Sequence, residues 1–459
     1  MVVEKNDRTT ERFLTTLFTA IRLSLPISAA KHHQAGTADQ RPNHHATGIL
    51  QLQDRGKFPV LDLGAERLYE MTAMNIIFYC QYVWGMGHLV RSLEFARALA
   101  GHDVTLIAGG QQVEVDLPDH VQLVRLPVLY MDEEFTRLIP GDPGQSVEPI
   151  QHERKNRLYS LFKTKKPDLF IVELYPFGRS IFGFELEPLL KDIREGKFGD
   201  VKAVCSLRDI LVEKKDPPAY EKRVLQKLNR YFDALLIHSD AGLQRLDETF
   251  SRAGDIKIPL VYTGFITQQA DPAAGRRLRR ELEIASGEKL IVASAGGGRS
   301  GFKLLTSVLD ACELLGDDPS LRLEVFCGPF MDPQEYARLA ARSATGRRIR
   351  RYTKRFLGYL SAADLSVSLA GYNTCMNLLV TKVPALVFPY ARQQEQPMRA
   401  DKIKKYLPMK VLKETDMQPA RLSRHLAQML QHSGTTGEVP INLDGAANAA
   451  HFLNQLISS

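Results

Sequence analysis

Short apolar runs of five or six residues recur along most of the chain, separated by longer stretches in which apolar positions return every three or four residues. From residue 74 the short runs cover 75–80, 104–108, 169–173, 201–205 and 234–238, and the helix-length amphipathic stretches include 89–100 and 219–232. After Val261-Tyr262-Thr263-Gly264 the alternation starts again, with runs at 289–294, 321–327, 364–368 and 384–389 and helical stretches at 302–315 and 372–380. Continuously apolar strands alternating with helices predict parallel sheets covered on both faces. The expected fold class is therefore α/β, with two successive doubly wound units at 74–264 and 265–443 and a last helical segment within 444–459. Ligands of such sheets sit beyond the carboxyl ends of the strands, so two units facing each other define one deep cleft.

Residues 1–73 break this pattern. Residues 13–30 are apolar enough to resemble a signal sequence, yet Arg22 and Pro26 interrupt them and Glu4, Asp7 and Glu11 stand upstream. Residues 31–56 are rich in His, Gln, Thr and Gly without apolar periodicity, so they are expected to stay disordered or poorly ordered. The pairs His32-His33 and His44-His45 lack nearby Cys and a helical spacing, and read as a solvated tail rather than a metal site.

Composition narrows the function classes. A length of 459 residues with 44% hydrophobic and 25% charged residues fits a soluble protein with two cores. The charge of +7 favours an anionic partner, leaving nucleic acid, acidic membrane and phosphorylated metabolite open. Nucleic acid is then disfavoured, because aromatics are not interleaved with the basic run at 347–355, which reads as a solvated edge. The five scattered cysteines form no CxxC pair and read as buried thiols of a reducing compartment, so the expected location is the cytoplasm. No apolar run is long enough to span a membrane; peripheral contact at its inner face stays open.

The loops at the strand ends carry the candidate chemistry. The first strand runs into Gln81-Tyr-Val-Trp-Gly85-Met-Gly87-His88 and then a helix containing Arg91. Glycines admit close approach of a ligand to the backbone, and a helix N-terminus offers free N–H groups and a positive dipole end. The string lacks the third glycine of a dinucleotide fingerprint and the Lys-Ser/Thr of a P-loop, which disfavours NAD binding and simple NTP hydrolysis. His88 is placed to act as general base, with a capping or packed histidine as the alternative. In the second unit the first strand ends in Gly296-Gly297-Gly298-Arg299, a diphosphate cradle with a possible counter-charge. Strand 364–368 leads to Gly371-Tyr372-Asn373-Thr374, able to cap a helix or contact a ligand, and strand 384–389 leads through Arg392 to Glu395 and Gln396, suited to sugar hydroxyls.

This ordered set of motifs resembles the GT-B fold glycosyltransferases, most closely the MurG-like enzymes with a glycosyltransferase family 28 C-terminal domain, over residues 74–459. The resemblance implies two Rossmann-like domains across a cleft, with the nucleotide-sugar donor held mainly by the second and the acceptor by the first. It also implies no metal-dependent DxD chemistry, no required cofactor, and a final helix at 446–457 crossing back to the first domain. Carried over by position, Gly296, Gly297 and Gly298 would approach the diphosphate, Gly371, Tyr372, Asn373 and Thr374 would line its other side, and Glu395 and Gln396 would hold donor-sugar hydroxyls. Two departures stand out: Asn377 occupies the place of a ribose-binding glutamate, and Arg299 falls where a Ser-Gln pair is usual. Gly85, Gly87, Arg91, Glu173, Arg208 and Asp209, with the segment Pro176-Phe177-Gly178-Arg179, sit at ligand-facing strand ends and are the expected acceptor and phosphate groups.

The expected activity is transfer of a hexose-type sugar from a nucleoside diphosphate sugar, a UDP-sugar first, to a hydroxyl of a sugar, lipid-linked or small-molecule acceptor, with His88 as the catalytic residue and no metal. Two alternatives remain: a nucleotide-sugar hydrolase or 2-epimerase of the same fold, and a regulatory module that binds nucleotide-sugar without turnover.

Overall fold

Successive residues of a strand face opposite sides of its sheet, and the central strand of the first domain shows why it must lie inside. In β1 (Asn75–Cys80), Ile76, Phe78 and Cys80 enter one core while Ile77 and Tyr79 enter another, so both faces are covered. The computed structural model describes residues 73–83, 85–132, 136–316, 318–390, 394–431 and 439–458. The expectations for residues 1–72, and for Trp84 and Arg392, lie outside the described residues.

The first sheet adds β2 (Asp103–Ala108), β3 (Val121–Arg125), β6 (Leu169–Glu173), β7 (Lys202–Arg208), β8 (Ala234–His238) and β9 (Leu260–Tyr262) in the order β3-β2-β1-β6-β7-β8-β9, all parallel. A small antiparallel pair, β4 (Leu129–Met131) and β5 (Leu138–Pro140), stands beside it. The second sheet comprises β10 (Lys289–Ser294), β11 (Leu321–Phe326), β12 (Arg347–Arg350), β13 (Leu365–Leu369), β14 (Ala385–Phe388) and β15 (Met409–Val411), in the order β12-β11-β10-β13-β14-β15, again all parallel. Strand order therefore reverses between β1 and β6 in one domain and between β10 and β13 in the other. These are the two places where a crevice must open above a doubly wound sheet.

The helices that matter for the cleft are α1 (Gly87–Arg97), α4 (Pro217–Tyr231), α6 (Phe302–Leu314), α9 (Tyr372–Thr381), α10 (Glu395–Ile403) and α12 (Gly445–Ser458), numbered among twelve described helices. α12 sends Ala449, Ala450 and Leu453 into the core beneath α1, so the chain ends packed on the domain where its first strand lies. The two crossings between domains run side by side: the Phe265 N–H donates to the Asn442 carbonyl at 2.8 Å and the Gly445 N–H donates back to the Phe265 carbonyl at 3.0 Å. No described helix is long and apolar enough to cross a membrane.

Several expected bounds shift. The strand foreseen at 201–205 continues to Arg208, which carries that side chain up to the cleft. The basic run 347–355 begins as β12, the edge strand of the second sheet. Its Lys354 reaches the other domain, 2.9 Å from Glu114 and 2.8 Å from Asp116.

At the end of β8, His238 is fully buried, with Ser206 Oγ 2.7 Å from Nε2 and Thr263 Oγ1 3.0 Å from Nδ1. Burial, aided by the Arg91 charge, pushes its imidazole down to about 3. A depressed folded-state value means that the unfolded chain binds the proton first. The stability His238 confers is therefore complete above about pH 6.5 and is lost as pH falls towards 3. The expected loss for this one group is on the order of 2 kcal/mol at pH 5. Urea unfolding at pH 7 and pH 5 measures it, and His238→Gln should flatten the difference.

Candidate active site

The two reversal points face each other across one cavity of about 1040 Å³. From the first domain come the loop after β1, the start of α1, and the segments after β6 and β7. The second domain contributes the loop after β10, the start of α9 and the start of α10. The glycine loops approach closely: a Cβ placed on Gly297 would lie 3.5 Å from the Gly85 Cα. Neither Gly85 nor Gly87 has positive φ, and a Cβ on Gly85 would meet nothing within 4 Å, so neither a left-handed turn nor the opposite loop demands glycine at these positions. A Cβ on Gly87 would lie 3.6 Å from Asn373 Nδ2, which donates to the Gly87 carbonyl at 3.0 Å.

His88 is the second residue of α1 and lines the cavity. Its Nδ1 lies 2.7 Å from Oε1 of Glu173, the last residue of β6, whose side chain is wholly buried. Arg91, one helical turn after His88, also donates to that oxygen. Burial pushes the His88 imidazole down to about 4 against the opposing pull of Glu173. Burial pushes Glu173 up, but the positive groups around it prevail and hold its carboxyl at about 2. At neutral pH the pair is thus a neutral imidazole beside a carboxylate. The anion accepts from Nδ1–H, an assignment made from the partner, which leaves Nε2 as the nitrogen with a free lone pair.

Most of the residues expected from the sequence meet here. Gly85, Gly87, His88, Arg91, Arg208, Gly296, Gly297, Gly371, Tyr372, Asn373, Thr374, Asn377, Glu395 and Gln396 all border the cavity. Four do not. Glu173 sits beneath His88. Gly298 has φ +99° and faces away from the cavity: a Cβ there would meet the Cys327 carbonyl at 2.6 Å, so its glycine serves the packing of the β11 loop. Arg299 is exposed and does not border the cavity. Asp209 is 1% exposed, and both its oxygens are taken by Arg399 of α10, at 2.6 and 2.8 Å.

Three other residues have roles the sequence did not announce. The Tyr372 hydroxyl accepts from the Ile266 N–H at 3.0 Å and donates to the His238 carbonyl at 3.3 Å, so it ties the first crossing to both domains, while the Arg91 and Arg399 guanidiniums both lie over its ring. Glu395 pairs with Arg208 across the cleft. Gln396 accepts from the Tyr390 N–H at 2.9 Å, which ties down the start of α10. Asn373 and Thr374 do not cap α9, whose first turn has no side-chain cap and no acidic residue. Its N–H groups and dipole end are therefore available at the cavity wall.

Residues 296–452 match the model of the Glycosyltransferase family 28 C-terminal domain. Among solved structures, one of TcCGT1 in complex with UDP is 13% identical with a TM-score of 0.54, covering 84% of this chain and 99% of that one. Phytolacca americana UGT2, complexed with UDP-2fluoro-glucose and pterostilbene, is 15% identical with a TM-score of 0.50, covering 83% of this chain and 93% of that one. The spinosyn forosaminyltransferase SpnP is 13% identical with a TM-score of 0.50, covering 84% and 96%. At such identities the likeness is one of fold, and the fold is GT-B. No match was found among curated proteins.

Proposed function

From a GT-B chain carrying a family 28 C-terminal domain, we propose a glycosyltransferase that moves a hexose-type sugar from a nucleoside diphosphate sugar to an acceptor hydroxyl without a metal. The observation that carries this reading is the His88–Glu173 dyad, set at the cavity wall opposite the glycine loop and helix N-terminus of the second domain. His88 Nε2 takes the proton of the acceptor hydroxyl as the new bond to the anomeric carbon forms. The bond from that carbon to the diphosphate oxygen breaks, and the oxygen leaves with the electron pair. Backbone N–H groups at Gly296, Gly297 and the start of α9 are the groups suited to the growing negative charge. Gln396 and Asn377 border the space for donor hydroxyls. A UDP-sugar is the donor class to test first, since UDP occupies one protein of this fold and a UDP-sugar analogue another.

The deciding experiment is thermal unfolding against a panel of nucleoside diphosphates and their sugars. A ligand of the folded state at a hundredfold excess over Kd adds about 2.7 kcal/mol of stability and raises the melting temperature. Gly297→Asp should abolish the rise yet fold normally, because position 297 has no positive φ and its Cβ would meet only ordinary contacts at 3.5 and 3.8 Å. The new carboxylate then stands between the two glycine loops. A folded wild type that responds to no diphosphate nucleotide would overturn the donor site. Sugar released from the donor with no acceptor present would point instead to hydrolysis.

A further inference from the structure

The first-domain side of the cavity has a composition of its own. Met131, Leu174, Phe177, Leu211 and Val224 give it an apolar floor, and above that floor stand Arg179, Arg208, Lys214, Lys215 and Arg223. Nearby acids neutralise only part of this row: Glu395 pairs with Arg208, and Glu173 lies close to Arg179. Asp216 caps α4 by accepting from the Ala219 N–H at 3.1 Å, Glu395 is taken by Arg208, and Glu213 is exposed. Lys227, on the same wall, is matched by Glu187. Among the described residues no carboxylate lies within ion-pair distance of Lys214, Lys215 or Arg223. Arg179 donates to a neutral carbonyl, that of Gln81, at 3.0 Å. Like charges gathered beside a low-dielectric floor repel one another, and an anion bound among them relieves that repulsion.

We infer that the acceptor is an amphipathic molecule carrying an anionic group, a phosphate or a carboxylate, which binds at Lys214, Lys215, Arg179 and Arg223 while its apolar body lies on Leu174, Phe177 and Leu211. This deepens the reading of the cleft as an acceptor site and rests on it. Arg179 stands beside the His88–Glu173 dyad with Arg208 next to it, so an anion held there keeps the rest of the acceptor within the same cavity as the base.

The test uses the full chain and three probes of similar ring size: 1-naphthyl phosphate, 2-naphthoate and neutral 2-naphthol. Binding is followed by the change in probe fluorescence, with UDP stabilisation measured on the same samples. The wild type should bind at least one anionic probe about tenfold more tightly than naphthol, the gain expected of one charge-assisted contact. Which anion binds better separates phosphate from carboxylate. Lys214→Glu/Lys215→Glu replaces two exposed side chains, so the fold is kept; it should erase the preference without altering the UDP response. Equal binding of naphthol, or an anion preference that survives the double variant, would overturn the inference. A UDP response without an anion preference sinks this inference alone. An anion preference without a UDP response sinks the donor reading and leaves the cationic wall standing.

Discussion

On the proposed mechanism, replacing His88 by alanine should lower kcat for sugar transfer by about 10²–10⁴, the contribution of a positioned general base, and leave a melting-temperature rise with UDP unchanged. The separation follows from geometry, because His88 belongs to the first domain and the groups proposed for the diphosphate belong to the second. Glu173→Gln should cost a comparable factor by a different route. Glu173 leaves Nδ1 as the protonated nitrogen, and an amide in its place no longer enforces that tautomer. The pH profile gives a second reading. A general-base role for His88 requires the neutral imidazole, and burial holds His88 at about 4, so activity should persist well below pH 6.5 and fall only as pH drops through about 4. An acid limb near 6.5 would mean that the ring titrating is solvated and is not His88. Stopped assays across pH 4–8 with wild type and both variants decide the matter.

The largest effect on stability is expected at Arg399. Its guanidinium is 2% exposed and joins α10 of one domain to Asp209 at the end of β7 in the other, with Nε and Nη2 each meeting one carboxylate oxygen. Arg399→Ala leaves the Asp209 charge buried without its partner, a change that costs about 3–5 kcal/mol. Replacing both, as in Asp209→Leu/Arg399→Met, removes the stranded charge and should recover much of the loss. Denaturant unfolding of the three proteins tests this. A single variant as stable as the wild type would mean that water or another cation reaches Asp209, contrary to its burial.

What could be read from the chain followed from how locally each feature is encoded. The strands 75–80, 169–173, 234–238 and 289–294 were legible to the residue because each is a continuous apolar run buried on both faces. Edge strands were less so: β3, with one buried position of five, was not foreseen, and β12, Arg-Arg-Ile-Arg, read only as a solvated helix or strand edge. Glycine loops and His88 were visible because a ligand-facing turn needs particular residues at consecutive positions. The Glu173 partnership, the Asp209–Arg399 lock and the double use of Tyr372 were not, since their partners stand 85, 190 and 106 residues apart. No spacing rule ties such residues together.

The paired crossings at Phe265 and Gly445 have a mechanical consequence. A single linker would let one domain swivel freely about the other, whereas two adjacent linkers, hydrogen-bonded to each other, act as the two knuckles of a door hinge. Gly264, at φ +86° and crowded by Asn442, and Gly445, whose Cβ would strike the Gly264 carbonyl at 2.3 Å, set the pin between them. Any rotation of one domain on the other is thereby confined to an axis through the paired crossings, which keeps the two glycine loops in register.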